Sequence, residues 1–408
     1  MSEPSALPII IVGAGQAAGE LAAELRRQQY AGRVLILGDE PQVPYKRPPL
    51  SKTFLAGTVS EDSLYVMSKA NLEKASIEFR GDARVVKIDR AAKHVELADG
   101  TRLGYHRLAL TTGGRPRPLP GVSRSNLFLV RTIADIAAIR PHCAPGKRVA
   151  IIGGGFIGLE VAAVLVKQGL KVTVLENLPR VLARVTAPQV STFFERVHRE
   201  AGVDLRTSVK IEEYEGEPAI RALKLGDGTR LEVDFVVAGI GLIANVELAQ
   251  DAGLAVDNGI VVDEFTRTND PDIVAAGDCT NHPSEFLGRR VRLESVQNAM
   301  EQGRAAARCL AGKPEPYKMV PWFWSDQYDC KLQMVGISTG YDSVVIRGDL
   351  NSRSFAAFYI GDGKLIAADA VSRPQEFVFA KKMVAARQAV DAAQLADEAV
   401  PLKTLAAA

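Results

Sequence analysis

Residues 9–18, IIIVGAGQAA, form a short apolar run that ends in closely spaced glycines, and residues 149–158, VAIIGGGFIG, repeat the pattern. Each apolar run predicts a buried parallel strand, and the residues after each glycine cluster predict a helix. Glycines at such a turn let the backbone approach a pyrophosphate, which then lies at the helix N-terminus. Two copies of this fingerprint in one chain predict two dinucleotides bound at once, with electrons passing between them.

An acidic residue follows each fingerprint at the end of the next predicted strand. Asp39 lies at the end of the strand predicted within residues 33–40, and Glu176 ends residues 171–176. An acid about 20 residues beyond the glycines is placed to bind ribose hydroxyls. Its presence in both copies argues against two purely structural strand–helix turns. No Arg or Lys immediately follows Glu176 to meet a 2′-phosphate, and this favours NADH over NADPH at the second site.

Length and charge limit the possible function classes. A chain of 408 residues predicts two or three domains. The net charge of +2 gives no general attraction to nucleic acid or to an anionic membrane. The N-terminus lacks the features of a signal peptide, so a cytoplasmic protein is expected. The four cysteines and five histidines are scattered, so no metal site is expected.

The second half of the chain repeats features of the first half. Asp-Gly turn signals occur at residues 99–100 and 227–228, and the apolar runs near residues 110 and 237 both end in glycines. These features predict an internal duplication. The Pro-rich residues 43–52 predict a rigid loop that enters a short helix capped by Ser51. Residues 318–408 predict a small α+β module with a helix from about 374 to 387.

Several of these segments occur in a fixed order, and together they carry a family resemblance. The segments are the first fingerprint with Asp39, residues 47–52 (RPPLSK), residues 112–114 (TGG), the second fingerprint with Glu160 and Glu176, residues 276–278 (AGD) and residues 322–327 (WFWSDQ). The set resembles the putidaredoxin reductase-like, FAD-dependent NADH:ferredoxin reductases of bacterial oxygenase systems.

The resemblance implies a glutathione-reductase-like α/β fold. It has two dinucleotide-binding, Rossmann-type domains and a C-terminal α+β interface domain. The implied boundaries are residues 1–115 and 243–317 for a split FAD-binding domain, 116–242 for the NAD-binding domain and 318–408 for the interface domain.

The resemblance also implies roles for particular residues. At the FAD site the implied residues are Gly13, Gly15, Ala17 and Ala18 at the pyrophosphate, Asp39 on the ribose, Arg47 for phosphate, Val85 on the adenine side, Arg131 near the flavin, Asp278 on the ribityl chain, Val296 at the pyrimidine edge, Lys52 near flavin N5 and Trp324 near the ring face. At the NADH site they are Gly153, Gly155, Gly158, Glu176 and Arg184. Lys52 and Glu160 are the implied catalytic residues, and Glu160 lies near the nicotinamide, where it can pair with Lys52.

The activity implied is hydride transfer from NADH to FAD, followed by single-electron transfer to a small acidic 2Fe–2S ferredoxin. That ferredoxin would supply a haem-thiolate monooxygenase or a ring-hydroxylating dioxygenase. Arg289, Arg290, Arg292 and Arg304 are candidates for its docking surface. A monomer or weak homodimer is expected. Two alternatives stay open: a rubredoxin reductase, and a non-enzymatic FAD-binding interaction protein that resembles apoptosis-inducing factor.

Overall fold

The structure, a computed structural model, describes residues 7–406 and divides them into two compact units. Unit 1 contains residues 7–47, 60–115 and 242–319, and unit 2 contains residues 48–59, 116–241 and 320–406. Both units are therefore assembled from separate stretches of chain. The three-domain boundaries given above stay a prediction. Among residues 7–406, no helix is both long enough and apolar enough to cross a membrane.

The described residues contain ten α-helices and three short 3-10 segments. The α-helices are α1 (Gln16–Arg27), α2 (Lys69–Lys74), α3 (Ile133–Ile139), α4 (Phe156–Lys167), α5 (Pro188–Glu200), α6 (Glu247–Asp251), α7 (Val296–Leu310), α8 (Pro374–Ala385), α9 (Ala392–Ala396) and α10 (Leu402–Leu405). The 3-10 segments are Pro48–Ser51, Glu61–Leu64 and Arg140–His142.

The strands are short, and most are grouped in sheets of three or five. The first half of the chain contains β1 (Ile9–Val12), β2 (Val34–Leu37), β3 (Ile77–Arg80), β4 (Val85–Asp89), β5 (His94–Leu97), β6 (Arg102–Gly104), β7 (Arg107–Leu110), β8 (Gly114–Pro116), β9 (Leu127–Leu129), β10 (Arg148–Ile152), β11 (Lys171–Leu175) and β12 (Asp204–Arg206). The remainder contains β13 (Ile211–Glu215), β14 (Ala222–Leu225), β15 (Arg230–Glu232), β16 (Phe235–Ala238), β17 (Leu242–Ala244), β18 (Ile260–Val261), β19 (Ile273–Ala275), β20 (Thr280–Ser284), β21 (Arg289–Val291), β22 (Trp322–Gln327), β23 (Cys330–Gly336), β24 (Ser343–Asp349), β25 (Ser354–Gly361) and β26 (Lys364–Val371).

Unit 1 is built around a parallel five-stranded sheet with the order β19-β7-β1-β2-β3. The four residues of β1 are all buried, because β1 lies at the centre of the sheet and both of its faces are covered. Helices α1 and α7 pack against each other. A Cβ added at Gly303 would lie 2.6 Å from the Ala17 carbonyl oxygen, so only glycine fits at that point of contact.

Unit 2 repeats this plan and adds a second kind of sheet. Its parallel sheet has the order β12-β11-β10-β16-β9, and its antiparallel sheet has the order β22-β23-β26-β25-β24. The antiparallel sheet and α8 form the predicted α+β module. The fold class expected from the sequence, two dinucleotide-binding domains with a C-terminal α+β domain, is confirmed.

The duplication includes the hairpin turns. In unit 1, Leu97 N–H donates to the Thr101 carbonyl at 2.9 Å, and in unit 2, Leu225 N–H donates to the Thr229 carbonyl at 2.8 Å. One local expectation is wrong: Ser51 does not cap a helix. Proline fits the first position of a helical turn, so the 3-10 segment already begins at Pro48. Ser51 is the last residue of that segment and does not precede it.

Candidate functional site at two glycine-rich turns and a buried carboxylate

The first fingerprint, which lies in unit 1, leaves open space at the N-terminus of α1. Gly13 has φ of +103°, and a Cβ there would lie 2.4 Å from the Thr111 carbonyl oxygen. Gly15 is the N-cap residue of α1, and a Cβ there would meet no atom within 4 Å. The first glycine is thus required by the turn, whereas the second keeps the space above the helix terminus free. This cradle fits a dinucleotide pyrophosphate.

The second fingerprint, in unit 2, has the same geometry. Gly153 has φ of +105°, and a Cβ there would lie 2.5 Å from the Gly239 carbonyl oxygen. Gly155 is the N-cap residue of α4 and has open space in place of a Cβ. The copies differ at their third small residue. A Cβ at Gly158 would lie 2.1 Å from the Gly153 carbonyl oxygen, whereas unit 1 accommodates Ala18 at the matching position.

The two ribose-binding candidates have different surroundings. Asp39 is exposed and follows β2. Glu176 follows β11 and is only 9% exposed, with one oxygen accepting the Gly154 N–H at 2.7 Å and the other accepting the Leu178 N–H at 2.8 Å. Two backbone donors therefore fix the Glu176 carboxylate against the second fingerprint. Each carboxylate oxygen can accept further hydrogen bonds, so acceptor capacity for ribose hydroxyls remains.

A buried carboxylate lies on α4, the helix that the second fingerprint begins. Glu160 is 2% exposed, and its Oε2 lies 2.8 Å from Lys52 Nζ and accepts a hydrogen bond from Ser51 Oγ at 2.5 Å. Its Oε1 accepts a hydrogen bond from Ser325 Oγ at 2.6 Å. The pairing of Glu160 with Lys52 that the resemblance implies is present. The sequence did not indicate Ser51 or Ser325 as partners of Glu160, although they lie within the segments 47–52 and 322–327 that carry the resemblance.

The hydrogen bonds at Glu160 continue through buried side chains. Gln327 Nε2 donates to Ser325 Oγ at 3.2 Å, and Gln327 Oε1 lies 2.9 Å from His198 Nε2. His198 Nδ1 lies 3.0 Å from the Tyr328 hydroxyl. Burial lowers the pKa of His198 to about 4, so its ring is neutral at physiological pH. The sequence indicated neither His198 nor Tyr328 as part of a site.

Aromatic side chains of β22 form a group that includes one ring in contact with the start of α4 in unit 2. The rings of Phe156 and Phe323 have centroids 4.7 Å apart, and those of Trp322 and Trp324 are 5.6 Å apart. Phe156 is the first residue of α4, so the fingerprint helix and β22 share an aromatic surface. The sequence indicated Trp324 but not Phe156, whose position directly after Gly155 was the available signal.

The remaining candidates are placed on several elements. In unit 1, Arg47 pairs with Glu40 at 2.7 Å, Val85 starts β4, Asp278 lies in the turn after β19, and Val296 is the first residue of α7. In unit 2, Arg131 donates its backbone N–H to Asp135, and Arg184 is exposed in the loop before α5. That loop meets the second fingerprint, since Leu182 N–H donates to the Gly154 carbonyl at 3.0 Å.

The four arginines suggested as a docking surface are mostly engaged within unit 1. Arg304 pairs with Glu20 at 3.0 Å, and Arg292 pairs with Glu294 at 2.5 Å. Arg290 donates to the Val262 carbonyl at 2.6 Å. The cluster is therefore not a set of free cations, and this weakens the docking suggestion.

No disulfide bond joins the four cysteines. Cys143, Cys279, Cys309 and Cys330 are all free thiols, and burial raises the pKa of Cys143 and of Cys330 to about 11. Within residues 7–406, no group of three or more His, Cys, Asp or Glu side chains could hold a metal ion. A fold with two such dinucleotide cradles is typical of nucleotide-dependent oxidoreductases.

Comparison with known proteins places the chain within that class. The family model described as pyridine nucleotide-disulphide oxidoreductase matches residues 7–303, and the model described as reductase C-terminal matches residues 322–406. The chain is 46% identical to putidaredoxin reductase of Pseudomonas putida, over 98% of this chain and 97% of the relative. It is 42% identical to the ferredoxin–NAD(+) reductase component of the anthranilate 1,2-dioxygenase system of Burkholderia cepacia, over 98% of this chain and 99% of the relative.

A solved structure agrees. The covalent putidaredoxin reductase–putidaredoxin complex aligns with a TM-score of 0.95 and 45% identity, over 98% of this chain and 97% of that chain. The chain therefore belongs to the ferredoxin reductases of the pyridine nucleotide-disulphide oxidoreductase family. Membership implies FAD and NAD(P)H as cofactors, and the two open cradles fit two such dinucleotides.

Proposed function

We propose that the protein passes electrons from NADH through FAD to a 2Fe–2S ferredoxin that feeds a bacterial oxygenase. The observation that carries this proposal is the ion pair between Lys52 and the buried Glu160, a carboxylate on the helix begun by the second glycine-rich cradle. A flavin accepts two electrons from a nicotinamide and can release them one at a time. The four cysteines are widely spaced in the sequence, with no Cys-x-x-Cys motif, and this favours an external acceptor over a dithiol within the chain.

The candidate residues divide between the two nucleotides. For FAD they are Gly13, Gly15, Ala17, Ala18, Asp39, Arg47, Lys52, Val85, Arg131, Asp278, Val296 and Trp324. For NADH they are Gly153, Gly155, Gly158, Glu176 and Arg184. Val296 begins α7, so its backbone N–H belongs to a helix N-terminus that stabilises negative charge on a bound ring.

The side chains act by binding and orientation. Glu176 accepts hydrogen bonds from ribose hydroxyls of NADH, and its negative charge disfavours a 2′-phosphate at the same place. The buried Glu160 carboxylate would orient the nicotinamide, and the Lys52 ammonium that pairs with it would lie near the flavin. Phe156 and Phe323 add an aromatic contact at the start of the same helix.

The electron acceptor is proposed from the relatives. Putidaredoxin reductase is named for putidaredoxin, and the name of the anthranilate dioxygenase component refers to both a ferredoxin and an oxygenase system. We extend this to an acidic 2Fe–2S ferredoxin for the present chain, with either a haem-thiolate monooxygenase or a ring-hydroxylating dioxygenase downstream. A cytoplasmic location is part of the proposal.

Anaerobic stopped-flow absorbance tests the proposal. The purified flavoprotein is mixed with NADH and then with an oxidised 2Fe–2S ferredoxin, and a rubredoxin is used in a parallel experiment. Rapid bleaching of the flavin followed by faster reduction of the ferredoxin than of the rubredoxin is the expected result. Faster rubredoxin reduction would favour a rubredoxin reductase, and bleaching without transfer to either acceptor would favour an interaction protein.

A further inference from the structure

The hydrogen bonds that lead away from Glu160 have a direction. Glu160 faces the Lys52 ammonium and is an acceptor, so Ser325 must donate its hydroxyl proton to it. The Ser325 oxygen is then free only to accept, and this requires the amide nitrogen of Gln327 to face it. The amide oxygen of Gln327 consequently faces His198 Nε2 and needs a proton from it.

The ring of His198 completes this series of hydrogen bonds. A neutral imidazole carries one proton, so a ring that donates from Nε2 must accept at Nδ1. The group near Nδ1 is the Tyr328 hydroxyl, which can donate. Each donor between Tyr328 and Glu160 therefore points towards the carboxylate, and each assignment follows from the preceding one.

We propose that Ser325, Gln327, His198 and Tyr328 form a polarised hydrogen-bond chain that holds the Glu160 carboxylate in place and keeps His198 in its Nε2–H tautomer. In this arrangement His198, Gln327 and Tyr328 are positioning residues that act through Ser325. The proposal rests on the function proposed above, in which Glu160 orients the nicotinamide, but the tautomer of His198 is a separate consequence.

Burial protects the hydrogen bonds of this polarised chain from competition with water. Ser325 and Gln327 are each 1% exposed and His198 is 0% exposed, so bulk water does not compete for these donors and acceptors. The outer end is different, because Tyr328 lines an open depression together with Lys167 and Arg353. The Lys167 ammonium lies 5.4 Å from the centroid of the Tyr328 ring. The chain thus links the surface of unit 2 to a buried carboxylate on α4.

The tautomer is measured by nitrogen-15 NMR of the holoprotein labelled at its five histidines. The His198→Phe variant identifies the His198 signals by their loss. We expect a protonated Nε2 and an unprotonated Nδ1 in the wild type. In Glu160→Gln the amide can donate to Ser325, so every bond can reverse and the Nδ1–H tautomer becomes populated.

A double-mutant cycle measures the coupling to Glu160. The rate of flavin bleaching by NADH is recorded for the wild type, His198→Phe, Glu160→Gln and the double variant. Because a misoriented carboxylate lowers the rate, we expect His198→Phe to slow bleaching about threefold to tenfold in the wild type. It should change the rate less than about twofold in the Glu160→Gln background.

Two further variants protect the test against a simple folding defect. Tyr328→Phe removes only the outer hydroxyl and should slow bleaching less than His198→Phe does. Tyr359→Phe removes another buried hydroxyl of unit 2, bonded to Ala187 and Asp369, and should leave the bleaching rate unchanged.

The outcomes separate the two proposals. An Nδ1–H tautomer in the wild type, or an equal loss of rate from His198→Phe in both backgrounds, would overturn the polarised chain. A wild-type bleaching rate in Glu160→Gln would instead contradict the proposed role of Glu160, and the tautomer measurement would still decide whether the chain is polarised.

Discussion

Replacing Asp369 by asparagine should change how the stability of unit 2 depends on pH. Asp369 lies on β26, is 2% exposed, and accepts a hydrogen bond from the Tyr359 hydroxyl. Tyr359 in turn accepts the Ala187 N–H at 2.9 Å, at the start of α5. Burial raises the pKa of Asp369 from its ordinary 3.8 to about 7, because the charged form is poorly solvated there.

The sign follows from proton binding. Between pH 4 and pH 7 the folded protein holds a proton at Asp369 that the unfolded chain releases. Stability from this group is therefore full below pH 4 and falls as the pH rises to 7. At 1.36 kcal/mol per pH unit, and with Asp369 half deprotonated at pH 7, the loss is about 2 kcal/mol between pH 5 and pH 7 and approaches about 3 kcal/mol by pH 8. The asparagine side chain of the Asp369→Asn variant does not titrate, so its unpaired amide protons have the same cost at every pH.

Urea unfolding at pH 5, 6, 7 and 8 measures this difference. Both tryptophans of the chain lie on β22, in the same sheet as Asp369, so their fluorescence reports on the relevant module. Asp326→Asn, at an exposed position of β22, corrects for the loss of one carboxylate. We expect the wild type to lose about 3 kcal/mol relative to Asp369→Asn from pH 5 to pH 8. A constant difference across this range would refute the reasoning.

Three further predictions concern the cofactor sites. Gly13→Ala should lower the free energy of unfolding by about 2 kcal/mol or more. Gly15→Ala should leave the free energy of unfolding unchanged and weaken only the binding of FAD. Thermal unfolding of the apoprotein measures the first effect, and flavin titration measures the second. Lys52→Met should destabilise the protein by about 3 kcal/mol, because it leaves the Glu160 carboxylate without its cationic partner. Adding Glu160→Gln to this variant should restore most of the lost stability. If urea unfolding shows that the two substitutions have additive effects, the pairing is contradicted. Glu176→Gln should raise kcat/KM for NADPH relative to NADH by about tenfold, and an unchanged preference would show that Glu176 does not select the cofactor.

Local sequence patterns predicted the parts of the site that depend on a strand, a turn and a helix. Both glycine cradles and both Asp-Gly turns follow from residue types within about ten positions of one another, where backbone conformation decides the structure. Glu160 was also identifiable, because an acid in an otherwise apolar helix turn needs a partner. Its pairing with Lys52 came from the family resemblance.

The buried hydrogen-bond chain could not be predicted in this way. Ser325 lies 165 positions from Glu160, and Gln327 lies 129 positions from His198. Ser and Gln side chains are usually exposed, and no periodicity distinguishes these two from surface residues. The Asp369–Tyr359 pair left a weak signal, since an acid interrupts the apolar run of β26. Only tertiary packing shows that the Tyr359 hydroxyl donates a hydrogen bond to this acid.

The two glycine cradles diverge in ways that match their proposed ligands. A cofactor that stays bound can supply part of the order of its own site, whereas a substrate that leaves in every cycle needs a site that keeps its shape when empty. Asp39 is exposed, while the Glu176 carboxylate is already held by two backbone N–H groups. The tighter turn of the second cradle, which admits only glycine at position 158, restricts it further. If FAD occupies the first cradle and NADH the second, removal of FAD should therefore increase amide hydrogen exchange around Asp39 far more than removal of NADH does around Glu176.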